Sequence, residues 1–135
     1  MPYLEWVNKN HAKQAASAVP YRVLEFQSAH GDPATDNLLI RGDNLDALKA
    51  LLPFYAGRVK CIYADPPFNT EQGFPDYDDK LEHSQWLSMA YPALVLQKDL
   101  LDPAGTLFIH IDDNELGYLI AIADEVFGRD RKSVV

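Results

Sequence analysis

Residues 58–70 read Arg-Val-Lys-Cys-Ile-Tyr-Ala-Asp-Pro-Pro-Phe-Asn-Thr, and how this stretch divides decides the fold. Residues 58–64 are apolar and rich in strand formers, which predicts a buried β-strand. The strand must stop at Asp65, because Pro66 and Pro67 cannot donate to a sheet ladder. The carboxyl end of an apolar strand is therefore marked by a carboxylate, two rigid residues and an aromatic ring.

Upstream, residues 37–42 form a short strand candidate. Asp43 reads as a helix N-cap with Asp46 three residues on. Leu45, Leu48, Leu52 and Tyr55 follow at helical spacing, and Gly57 ends the helix. Further back, residues 9–19 read as a short helix stopped by Pro20, and residues 28–37 as a polar loop.

Downstream, residues 65–83 form a long loop, a length usually tied to function or mobility. Ser84 is placed to cap the next helix, which carries Leu87, Tyr91, Leu94 and Leu101 on one side. Pro92 should kink that helix or split it. Asp102-Pro103-Ala104-Gly105 has the chemistry of a type I turn. Residues 106–111 predict a second buried strand. Asp112 and Asp113 cap a last helix with Leu116, Leu119, Ile120, Ala123 and Phe127 at helical spacing and Gly128 as its stop.

The resulting order is strand, helix, strand, loop, helix, strand, helix. It predicts an α/β fold, a parallel sheet flanked by helices. Ligands of such sheets bind beyond the carboxyl ends of the strands, where Asp43, Asp65 and the pair Asp112-Asp113 fall.

At 135 residues the chain has room for one domain with a core. It is 47% hydrophobic and 24% charged, a soluble globular balance. No apolar run approaches the roughly 20 residues of a membrane span, and the first residues lack the form of a signal peptide. The single cysteine, Cys61, gives no disulfide framework and fits a reducing, cytoplasmic setting. Twelve basic residues face 20 acidic ones, a net charge of −8. That charge argues against a whole nucleic-acid grip on this chain. No phosphate-binding Gly-Lys-Ser/Thr loop and no Ser/His/Asp pattern is present. His110-x-Asp112 lacks a third metal ligand, so no metal is expected. His83 reads as a surface residue, and Trp86 as a core residue, with packing of the long loop as its alternative.

The turn itself has a chemistry. Asp65 offers a carboxylate and Pro66 a carbonyl, two acceptors suited to the two N–H bonds of a planar amino group. Such a nitrogen is a poor nucleophile because its lone pair is delocalised into the ring. Two acceptors favour its rehybridisation and stabilise the positive charge that develops as it attacks an electrophile. Phe68 would stack on the ring of a base held out of its helix. At average residue usage, a chance Asp-Pro-Pro-aromatic in a chain of this length has odds on the order of 10⁻³.

These residues resemble the catalytic motif of amino-directed DNA methyltransferases. The Asp-initial form is similar to N6-adenine enzymes, and Asn69-Thr70 resembles methylation subunits of type III restriction–modification systems. The resemblance covers residues 37–128 and implies a partial Rossmann-like fold and methyl transfer from S-adenosylmethionine to adenine N6 in DNA. It implies Asp65, Pro66, Pro67 and Phe68 as the catalytic cluster, with Phe68 and Asn69 against the substrate. Asp43 borders the cofactor or base pocket on this reading; its alternative is a plain helix cap. The implied partners are double-stranded DNA with a flipped adenine, a restriction subunit, and a second copy or a complementing cofactor-binding half. In this family's permuted arrangement a target-recognition region and a cofactor half with a Phe-x-Gly-x-Gly turn come later. No such turn occurs among the seven glycines. The expected organisation is an extension at 1–36, the catalytic half at 37–128, and a cut end at 129–135. The alternative readings are an inactive remnant or interaction half, and a methyltransferase acting on RNA or a protein amide.

Overall fold

A computed structural model describes residues 3–70, 82–131 and 133. The elements are α1 (Lys9–Ala18), α2 (Asn44–Tyr55), β1 (Val59–Ala64), α3 (His83–Leu100), β2 (Leu101–Ile109) and α4 (Asp113–Phe127), followed by a 3-10 turn at Arg129–Arg131. β1 and β2 pair in parallel, with Cys61 opposite Thr106 and Tyr63 opposite Phe108. The α/β class with a parallel sheet and flanking helices is as expected. Of the predicted long loop, residues 71–81 lie outside the described residues.

The centre of the fold is α3, which packs against α1, α2 and α4. Its buried residues Trp86, Leu87, Ala90, Tyr91 and Leu94 meet Leu119, Ile122 and Val126 of α4, with Trp6 and Ala12 on the other side. Leu107 and Ile109 of β2 pack against this cluster from the sheet.

The caps follow the local chemistry. The Asp43 carboxylate accepts from the Leu45 and Asp46 N–H groups at 2.9 and 3.4 Å. Asp112 accepts from the Asn114 N–H at 3.0 Å, and Gly128 ends α4 at φ 97°.

Several expectations need correction. Residues 37–42 form no strand, and Leu38 and Leu39 are exposed; neither described strand pairs with them, and an unpaired segment gains nothing from extension. Glu82, not Ser84, is the N-cap of α3; the Ser84 hydroxyl donates to the Glu82 carboxylate at 3.1 Å. Pro92 does not split α3, which runs unbroken for 18 residues. A lost turn bond costs about 3 kcal/mol, whereas each fully buried large apolar side chain contributes roughly 1.5–3 kcal/mol, and α3 buries several. Leu101 belongs to β2, not to α3.

The sequence 102–105 is not a separate turn but a bulge inside β2. The register jumps from Val59 opposite Leu101 to Cys61 opposite Thr106. The Asp102 carboxylate accepts the Ala104 N–H at 2.8 Å, and its other oxygen takes Lys60 of β1 at 2.7 Å. Those two bonds, Lys60 first, hold the Asp102 carboxyl below its ordinary value. Gly105 is required here, because a Cβ would stand 2.7 Å from the Val59 carbonyl. The strands are also not buried on both faces: Cys61, Tyr63 and Phe108 are exposed. The buried face of α4 is Glu115, Leu119, Ile122 and Val126, one residue out of phase with most of the predicted stripe.

α1 is tied to α4 by charge. Lys9 and Lys13 bond the Glu125 carboxylate at 2.8 and 2.9 Å, and Lys9 is buried between the Tyr3 and Trp6 rings. Burial pushes the Glu125 carboxyl up, but the bonds to Lys9 and Lys13 outweigh it and hold the group below its ordinary value. Burial, helped by the same carboxylate, pushes the Tyr91 hydroxyl up. A depressed carboxyl stabilises the fold above its unfolded pKa, about 4.3, and that stability is lost as pH falls through the lower folded value. Glu125→Gln should therefore lower the thermal midpoint at pH 7 and flatten its decline as pH falls below about 4.3. Thermal melts followed by circular dichroism measure this; a variant as acid-sensitive as the parent contradicts it.

Candidate active site

β1 delivers Asp65 to the carboxyl edge of the sheet, and β2 ends beside it. The His110 N–H donates to the Ala64 carbonyl at 3.0 Å, which closes the ladder one residue before Asp65. The His110 ring consequently stands next to the turn. Its Nδ1 is 3.5 Å from the Asp65 carboxylate, and its ring meets Phe68 edge-on at 4.9 Å and 75°. Asp65 and His110 are both more than half exposed.

Pro66 and Pro67 bring no N–H of their own, and their carbonyls are outside the ladder. Trp86 Nε1, on the first turns of α3, donates to the Pro67 carbonyl at 2.8 Å. The Trp86 ring is 0% exposed, so this bond links the turn to the centre of the core. No described residue donates to the Pro66 carbonyl. The turn thus keeps two acceptors open, the Asp65 carboxylate and the Pro66 carbonyl, while the Pro67 carbonyl is held.

Phe68 is half-buried. Asn69 is buried and left-handed at φ 58°, a conformation that Asn adopts more readily than most residues. Its side-chain amide donates to the Glu115 carboxylate at 2.5 Å, and its carbonyl accepts from the Asn114 side chain at 3.4 Å. His83 Nδ1 is 2.7 Å from the same Glu115 oxygen.

Behind the turn lies a cavity of about 190 Å³. Asn44, Asp65, Pro66, Trp86, Met89 and Gln97 are among its lining residues. Asp43 does not line it; its carboxylate is spent on the cap of α2, and its neighbour Asn44 faces the space.

The structure thus brings Asp65, Pro66, Pro67 and Phe68 together and sets Asn69 just behind them, with Asp43 apart. Sequence reasoning did not assign Trp86, His110, Glu115 or His83 to this site. Glu115 alone carried a signal, as a charged residue on the apolar side of an amphipathic helix. Trp86 read as a core residue, and His110 only as half of an incomplete metal pair with Asp112.

The chain is 35% identical to the EcoP15I Mod subunit of a type III restriction-modification enzyme of Escherichia coli, with 93% of the chain and 25% of that protein covered. It is 36% identical to the EcoPI Mod subunit of Escherichia phage P1, again with 93% of the chain and 25% of the relative. Against a probable type III enzyme of Haemophilus influenzae, the HindVI Mod subunit, identity is 44% over 74% of the chain and 13% of the relative. The chain spans about a quarter of the length of the first two of these curated relatives. Residues 59–134, which include β1, the turn, α3, β2 and α4, match the family described as DNA methylase. The chain belongs to the DNA methylase family.

Proposed function

We propose that this chain carries the acceptor end of an enzyme site that methylates adenine N6 in DNA, with S-adenosylmethionine as donor. One observation carries the reading: Trp86 occupies the Pro67 carbonyl, and the Asp65 carboxylate and Pro66 carbonyl remain open beside one cavity. A carboxylate only accepts, and so does a carbonyl. Their complement is a group with two N–H bonds, which the amino group of adenine provides.

In this reading Asp65 and Pro66 each accept one N–H. The carboxylate also stabilises the positive charge that grows on the nitrogen as it forms its new bond to carbon, and the preorganised turn does so without rearranging. Phe68 supplies a flat apolar face for the base. His110, against both Asp65 and Phe68, limits where each can turn. S-adenosylmethionine, when bound, supplies the methyl group on a sulfonium. The cavity is smaller than the roughly 300–1,000 Å³ that encloses a drug-sized ligand. That volume is too small to enclose the whole cofactor.

The partners proposed are double-stranded DNA and, because the relatives are Mod subunits of type III restriction-modification enzymes, a restriction subunit. A second copy or a complementing cofactor-binding half belongs to the same proposal. No described helix is long and apolar enough to cross a membrane; a cytoplasmic location is part of the proposal.

Methyl transfer is tested by mixing or fusing this chain with a cofactor-binding half and following radiolabel into DNA. Asp65→Ala should lower kcat by at least about 10²–10³-fold, the scale for losing one preorganised charge-stabilising group. Activity that survives Asp65→Ala overturns the assignment. Calorimetry of the isolated chain with S-adenosylmethionine should show no measurable heat of binding; clear micromolar affinity contradicts the partial fit. Trp86→Phe keeps an aromatic ring but leaves the Pro67 carbonyl without its donor, which should cost about 1–3 kcal/mol. Urea unfolding reads this directly, and an unchanged midpoint would show that the bond does not hold the turn.

A further inference from the structure

We propose that Glu115 is a positioning residue of this site: its buried carboxylate ties Asn69, directly after the Asp65–Phe68 turn, to His83 at the start of α3. The consequence for catalysis rests on the reading of that turn given above; the tie itself rests on geometry.

Glu115 is 0% exposed and sits in the first turn of α4, on the same face as Leu119, Ile122 and Val126. That face is otherwise a core face. One oxygen, Oε1, takes both the Asn69 amide at 2.5 Å and His83 Nδ1 at 2.7 Å. The other, Oε2, has no hydrogen-bond partner among the described residues. A buried carboxylate with one oxygen unpartnered among the described residues is costly, and an apolar side chain at this position would serve the core better. The helix N-terminus offsets only part of that cost. What the carboxylate does that no apolar residue can is hold two donors at one point. With Glu115 ionised its Oε1 can only accept, and the 2.7 Å contact then takes its proton from His83 Nδ1.

The two donors belong to different parts of the chain. Asn69 follows Phe68 and is left-handed, so its orientation sets the direction in which the chain leaves the turn. His83 opens α3, the helix that carries Trp86 and through it the Pro67 carbonyl. Glu115 and Trp86 therefore fix the turn from two sides, one by the residue after it and one by a carbonyl within it. The tie keeps Phe68 and the open acceptors in register without touching the acceptor group itself.

A reciprocal exchange tests this. Asn69→Asp keeps the shape and tolerates a left-handed backbone, but it sets a second carboxylate against Glu115. Adding Glu115→Gln rebuilds an amide–carboxylate pair with the roles reversed. In the methyl-transfer assay, Asn69→Asp should lower kcat by roughly tenfold or more, within the range for coupled neighbours, with the KM for DNA nearly unchanged. The double variant should recover most of the loss. Glu115→Leu should fold at least as stably as the parent chain yet shift the Trp86 indole N–H and Asn69 side-chain amide signals in ¹⁵N NMR of the 135-residue chain. The proposal is overturned if the double variant is no better than Asn69→Asp, or if Glu115→Leu leaves both signals in place. If the parent protein transfers no methyl group while the NMR signals respond as stated, the tie stands and the catalytic reading of the turn falls.

Discussion

The hydrogen bond from Trp86 to the Pro67 carbonyl is the constraint on which the rest of this structure depends. Two consecutive prolines end β1 and remove its next donors, so the carbonyls beyond the strand need partners from elsewhere. An indole is a donor only. Fully buried on the first turns of α3, it satisfies one carbonyl and leaves its neighbour open. Because α1, α2 and α4 all pack on α3, the turn inherits the rigidity of the whole helical layer. Loss of packing anywhere around Trp86 would be felt at Asp65, although Asp65 itself is largely exposed.

What could be read from the sequence is what local chemistry decides. The strand at 58–64, the caps at Asp43 and Asp112 and the stop at Gly128 each depend on a few adjacent residues. The errors lie where distant contacts decide. Residues 37–42 have strand composition, but a strand exists only with a partner. Pro92 is a breaker by itself, yet the packing of α3 on three other helices outweighs one missing bond. The α4 stripe was misplaced by one residue because both Leu116 and Leu119 rows look apolar, and only the position of α3 decides which is covered. The turn at 102–105 kept its Asx bond but was absorbed into β2, since Gly105 lets the bulge pass against Val59.

The site divides in the same way. Asp65 to Phe68 are contiguous, so their closeness could be read from order alone. Trp86, His110 and Glu115 reach them through the crossover from β1 through α3 to β2, and through the cap of α4. No spacing rule announces such contacts. Glu115 is the instructive case: a charged residue in a core stripe is either a misread phase or a functional group, and here the phase and the charge were both informative.

The charge balance bears on how such a site would work on DNA. A chain of net charge −8 is repelled by a polyanion, and Asp65 adds a carboxylate where the base would arrive. That arrangement makes sense if affinity and chemistry are carried by different surfaces. Phosphate contacts position a duplex and need cations, whereas an amino nitrogen that becomes positive needs acceptors and a negative field. The two demands oppose each other within one small site. Acidic acceptors on a rigid turn, with the duplex held elsewhere, satisfy both. Asp65 is anchored by its backbone rather than by a cation: the His110 ring lies 3.5 Å away, and no lysine or arginine pairs with the carboxylate among the described residues. On the proposed reading such a carboxylate keeps its field for the nitrogen, which an Asp65–Arg pair would cancel.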